Sequence, residues 1–191
     1  QSLSSAASDV YKRQAQRLLV SEVACHPDWE FISVDVEKAF LQGLTYKELA
    51  KMTGEAERVV HFTLPPFSAE QLRKIPGYES FDENKECLRC IKPGTGCKDA
   101  PRCFSMKLAQ VTRSPECGMK PTIADPELEI QHDNKLGLTM MMTKHVDDLK
   151  IGGLPPRPQK VLEQIEKVFG PMDRNYNEFT NCGVHQVRHK N

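Results

Sequence analysis

The chain predicts an α+β fold, a small antiparallel sheet backed by helices, on three observations. Phe31-Ile32-Ser33-Val34-Asp35-Val36 is a β-rich run with a carboxylate near its end. Residues 136–143 and 149–151 are apolar runs on either side of Lys144-His145-Val146-Asp147-Asp148, the pattern of a hairpin with two carboxylates at its tip. Residues 159–169 set Val161, Leu162, Ile165, Val168 and Phe169 on one helical stripe, which Gly170-Pro171 ends.

Residues 1–14, QSLSSAASDVYKRQ, resemble the translated read-through of a sequencing or cloning adaptor, the alternative being a natural polar arm. They are set aside as adaptor-derived or disordered, leaving 15–191 for fold reasoning. Ala15, Leu19 and Val23, four apart with Leu18 alongside, suit a short helix that His26-Pro27-Asp28 stops. Asp35 then falls near the end of the first strand. Residues 38–42 read as helical, and 45–57 as charged and helix-permissive. Residues 59–64 form a second strand candidate closed by Pro65-Pro66, and 68–86 a polar surface excursion. Pro93-Gly94-Thr95-Gly96 marks a tight loop. Pro101 suits the first turn of a helix running to about residue 112, with Phe104, Leu108 and Val111 on one face. Met140-Met141-Met142 reads as a buried strand filled by adaptable side chains. Residues 154–158, LPPRP, read as a linker.

Composition narrows the function. With 39% hydrophobic and 27% charged residues the 191-residue chain sits near globular averages. Lys plus Arg and Asp plus Glu both number 26, which argues against nucleic-acid binding through bulk charge, though not against a local basic groove. No apolar run approaches the roughly 18 residues a membrane span needs, and no secretion signal is visible. Seven cysteines, several close together, make a poor disulfide framework, so a reducing, intracellular setting is expected rather than secretion.

Two side-by-side strands would bring Asp35, Asp147 and Asp148 together. Like charges at that distance repel, so such a cluster calls for cations. Mg²⁺ takes a few carboxylate oxygens and keeps other positions for water and phosphate. Paired ions about 3.5–4 Å apart are the arrangement that joins nucleotides.

At this point a family enters. Asp35-Val36-Glu37-Lys38-Ala39-Phe40-Leu41-Gln42-Gly43 resembles the first catalytic motif of copia-type LTR-retrotransposon reverse transcriptases, DVKTAFLNG. Residues 60–66 (VHFTLPP) are similar to the strand and double proline that follow it. Residues 92–104 (KPGTGCKDAPRCF) resemble the block LYGLKQAPRAW, and His145-Val146-Asp147-Asp148 with 149–153 resembles YVDDILIAG. Four blocks stand in family order across about residues 15–188.

The resemblance implies a partial reverse transcriptase domain with a polymerase palm-like sheet, fingers and thumb incomplete. It implies RNA-directed DNA synthesis with two Mg²⁺ or Mn²⁺ ions on Asp35, Asp147 and Asp148. Phe40 would be the bulky gate against a ribose 2′-hydroxyl, and Gly96, Lys98, Pro101 and Arg102 would shape the nucleotide and template pocket. Expected partners are an RNA or DNA template with primer, deoxynucleoside triphosphates, and flanking integrase and ribonuclease H domains, in a cytoplasmic particle or the nucleus, with no membrane. From Lys85 to Lys107 six basic residues (Lys85, Arg89, Lys92, Lys98, Arg102, Lys107) face two acidic ones (Glu86, Asp99), a local +4 suited to a phosphate backbone. The chain departs from the family at His145, where Tyr is usual, at Cys97, Asp99 and Cys103, and in 45–57, which looks like an insertion.

Other readings stand beside this one. Cys87, Cys90, Cys97 and Cys103 would make a zinc-binding module if they converged. An inactive retroelement remnant carries the same residues. The fragment by itself is expected not to extend primers efficiently. His26, His61, Cys182, His185 and His189 read as packing or solvent residues.

Overall fold

The computed structural model describes residues 2–181 and 183–189, with side chains for 14–180 and 183–189. Residue 1 and the side chains of 2–13 lie outside the described set, while the backbone of the segment read as adaptor-derived or disordered is helical from Ser2 onward. The backbone of helix α1 runs Ser2–Cys25. Strand β1 (Glu30–Asp35) follows, with Asp35 as its last residue. A 3-10 turn over Ala39–Gln42 leads to α2 (Tyr46–Thr53). Thr45 caps α2 through a capping box: the Glu48 N–H donates to Thr45 Oγ1 at 3.1 Å, and the Thr45 N–H donates to Glu48 Oε2 at 2.8 Å.

β2 (His61–Phe62) and β3 (Leu88–Arg89) flank the short helix α3 (Ala69–Leu72) and pair only with each other. The expected strand over 59–64 thus shrinks to two exposed residues apart from the main sheet, since no apolar face of it meets a core. α4 (Ala100–Thr112) begins with Pro101 in its first turn. Then come β4 (Lys120–Pro121), β5 (Leu128–Asp133), β6 (Gly137–His145), β7 (Asp148–Gly153) and α5 (Arg157–Phe169). The chain closes with β8 (Asp173–Tyr176), β9 (Glu178–Asn181) and β10 (Val184–Val187).

This is a mixed α/β fold around a six-stranded antiparallel sheet, in the order β4-β5-β6-β7-β1-β8. Strand alternation divides the core between its two faces. Ile32, Val34, Met140, Met142, Leu149 and Ile151 meet α4 and α5 on one face, packing with Phe104, Leu108, Val161, Leu162, Ile165 and Phe169. Phe31 and Met141 meet α1 on the other, where Ala15, Leu19 and Val23 present the expected stripe to Trp29 and Phe179. The three methionines are buried, as their clustering suggests.

Two readings are corrected here. Val168 is 44% exposed and off the α5 stripe, because its neighbours Ile165 and Phe169 already fill the sheet-facing arc. Residues 154–158 are a packed strand-to-helix turn rather than a linker: the Leu154 N–H donates to the Thr139 carbonyl at 2.9 Å, α5 starts at Arg157, and Pro158 is buried. Glycines let the layers touch. A Cβ on Gly152 would stand 2.3 Å from Val23 Cγ2, so α1 seats directly on β7. Among the described residues no helix is long and apolar enough to cross a membrane.

Candidate carboxylate site

The sheet register builds the site. Asp35 and Asp148 are Cα partners across β1 and β7, and partners on antiparallel strands share a face. His145 pairs with Asp148 across β6 and β7, leaving Val146-Asp147 as a two-residue hairpin turn in which Val146 takes φ 58°. The Val36 N–H donates to the Asp147 carbonyl at 3.3 Å, tying that turn to the end of β1. All three expected acids therefore sit at one end of the same sheet.

A fourth acid joins them. Asp173 on β8 is the other Cα partner of Asp35, so the row reads Asp148, Asp35, Asp173 across three strands. Sequence reasoning missed it because Asp173-Arg174-Asn175-Tyr176 has no apolar alternation to announce a strand.

Electrostatics record the crowding. Burial, followed by the charges of Asp147, Asp173 and Glu37, raises the Asp35 carboxyl above its ordinary value, while the Val36 N–H pulls it down. Burial, then Asp147 and Asp35, raise Asp148, against His145 and Lys150, which lower it. Lys150 is 1% exposed and two residues beyond Asp148 on the same face of β7. Among the described residues no three His, Cys, Asp or Glu side chains converge to hold a metal ion. The donor set still suits a hard divalent cation: oxygen ligands only, with raised carboxyls that a positive charge would relieve.

The remaining expected residues fall on the 3-10 turn, the loop before α4 and the first turn of α4. Phe40 is half-buried in the 3-10 turn, five residues past Asp35. Gly43 ends that turn against α4, where a Cβ would stand 3.0 Å from the Phe104 nitrogen. Gly96 has φ 88° in the tight loop, and Lys98 is exposed. Pro101 and Arg102, in the first turn of α4, line a cleft of about 420 Å³ shared with Ser105, Lys144, His145 and Val146. Lys144 also lines it, with its ammonium 2.7 Å from the fully buried Glu129.

The basic stretch is not the open +4 surface expected. Arg89 Nη2 is 2.5 Å from Glu57, Arg102 takes Glu55 through both Nη atoms at 3.1 and 2.9 Å, and Asp99 pairs with Arg58. Lys85 pairs with Asp82, and Lys107 donates to the Gln42 carbonyl at 2.8 Å. Glu55 and Glu57 reach these arginines from the segment after α2 and Asp82 meets Lys85 from just upstream, while Arg58 returns one positive charge.

The four cysteines do not assemble into a zinc site. Cys103 is buried on α4 with Leu44 and Leu49, and burial followed by the Asp99 charge pushes its thiol up, against the thiolate that zinc needs. Cys87 is exposed, and Cys90 and Cys97 are half-buried. His185 is exposed and 3.7 Å from Glu178, while Cys182 lies outside the described residues. Comparison with protein-family models, with curated proteins and with solved structures finds no match to this chain.

Proposed function

We propose that this chain is part of an RNA-directed DNA polymerase of the copia retrotransposon type, its sheet serving as a polymerase palm. One observation carries the reading: Asp35 and Asp148 face each other across β1 and β7 with the Asp147 turn beside them. The four sequence blocks, in family order, name a chemistry for that arrangement.

Asp35, Asp147 and Asp148 would hold the Mg²⁺ or Mn²⁺ pair. Bound there, the ions supply activation of a primer 3′-hydroxyl and charge neutralisation at the transferring phosphate. The protein's own part is positional. Hydrogen bonding across β1 and β7 keeps the acids in fixed register, and the Val36 N–H holds the turn in place. Phe40 follows Asp35 closely enough to bar a ribose 2′-hydroxyl from an incoming nucleotide. His145 beside Asp148 takes the place where the primer end is positioned.

The test is metal linkage on the chain itself, with synthesis measured in the longer polyprotein. Mn²⁺ at ten times its dissociation constant should stabilise the fold by about 1.4 kcal/mol. That raises Tm by about 3–6 °C for a domain of this size. Asp35→Asn and Asp148→Asn should each remove the shift, and Asp147→Asn should abolish Mg²⁺-dependent DNA synthesis by the polyprotein. Identical Mn²⁺ shifts in wild type and both variants, or undiminished synthesis by Asp147→Asn, refute the assignment.

A further inference from the structure

We propose that residues 55–58 form an internal phosphate mimic, in which Glu55 and Glu57 occupy Arg102 and Arg89 and compete with a nucleic-acid backbone for that face. The inference rests on the polymerase reading and adds to it a device that regulates access.

Three observations point to it. The segment leaves α2 at Gly54, whose φ of 72° turns the chain out of the helix, and rejoins the fold where the Cys90 N–H donates to the Val60 carbonyl at 2.8 Å. Between those anchors it belongs to no helix or strand, so its side chains, not a backbone ladder, hold it to the protein. Its charges are opposite in sign to those of the surface beneath: Glu55 on Arg102, Glu57 on Arg89, Arg58 on Asp99.

The Arg102–Glu55 contact has fork-to-fork geometry. Both Nη atoms reach the two carboxylate oxygens, the arrangement in which a guanidinium also takes a phosphate. The pairs are solvent-exposed, with side-chain exposures of 48% and 55% for Arg102 and Glu55 and of 54% and 38% for Arg89 and Glu57. Exposed pairs contribute little and are screened by salt, so a polyanion can displace the glutamates without unfolding the protein. Arg102 also borders the cleft that reaches Val146 in the hairpin turn, so the blocked surface leads toward the carboxylates.

Fluorescence anisotropy with a labelled RNA–DNA hybrid, read across a KCl series on the full chain, tests this. Glu55→Gln/Glu57→Gln frees two arginines, so log K against log salt should steepen by about 1.8, an affinity gain approaching about sixtyfold at 0.1 M salt. Glu70→Gln/Glu163→Gln, which changes net charge equally elsewhere, should not reproduce it. Adding Arg89→Ala/Arg102→Ala to that variant should erase the gain. Hybrid binding by wild type that Glu55→Gln/Glu57→Gln alters no more than the control pair overturns the mimic and leaves the polymerase reading standing. Absence of binding by every variant overturns both.

Discussion

Lys144→Met should be among the more destabilising single changes in this chain. Lys144 lies on β6 beside the hairpin turn, and its side chain is 2% exposed. Its ammonium and Arg113 Nε both contact Glu129 Oε1 at 2.7 Å. Glu129 is fully buried, and its second oxygen has no hydrogen-bond partner in the protein. Removing one member of a buried ion pair costs about 3–5 kcal/mol because the other charge is left stranded. Arg113 stays on the same oxygen, which places the loss near the lower end, about 3 kcal/mol. For a domain of this length that lowers Tm by about 6–12 °C.

Equilibrium urea unfolding measures it directly. The asymmetry is the sharper readout: Lys144→Met/Glu129→Met replaces both charges with apolar volume and should recover most of the loss. Arg113 loses its partner in the double variant, but it is 38% exposed and can be hydrated. A loss under about 1 kcal/mol in the single variant, or a double variant weaker than Lys144→Met alone, refutes the account.

Three further outcomes are expected. Gly152→Ala forces a methyl 2.3 Å from Val23 Cγ2 and should cost about 1–3 kcal/mol in urea unfolding, with Val23→Ala partly restoring the double variant; additive losses would count against the close approach of α1 to β7. Burial first, then Asp147 and Asp35, hold the folded pKa of Asp148 above its ordinary 3.8, so the folded chain binds that proton more tightly than the unfolded one. The contribution to stability is present below 3.8 and is lost as pH rises through the folded value. Asp148→Asn should therefore melt above wild type at neutral pH, with the gap closing on the acid side of 3.8; a wild type equally stable at neutral pH would contradict this. Thiol labelling of the native chain should modify exposed Cys25 and Cys87 quickly, and Cys103 and Cys117, whose thiols burial raises, only on unfolding; fast modification of Cys103 would reopen the zinc reading.

Local chemistry was enough to find the elements whose apolar pattern is regular. The stripe of Ala15, Leu19 and Val23, the run ending at Asp35, Pro101 opening α4 and the hairpin carrying Asp147 and Asp148 are each legible over a few residues. β5 escaped because its alternation is short, with apolar residues only at Leu128 and Ile130, and the buried charge of Glu129 on its polar phase is tolerated only because Lys144 and Arg113 arrive from elsewhere. β8 escaped for want of any apolar residue before Tyr176.

What the chain determined by itself was therefore composition, periodicity and which residue types could do chemistry. Which acids meet was decided by the pairing of strands more than a hundred residues apart, since only register sets Asp35 opposite Asp148 on one side and Asp173 on the other. The basic stretch was decided in the same way. Its charge along the chain is positive, but charge acts through space, and residues 55–58 lie over it.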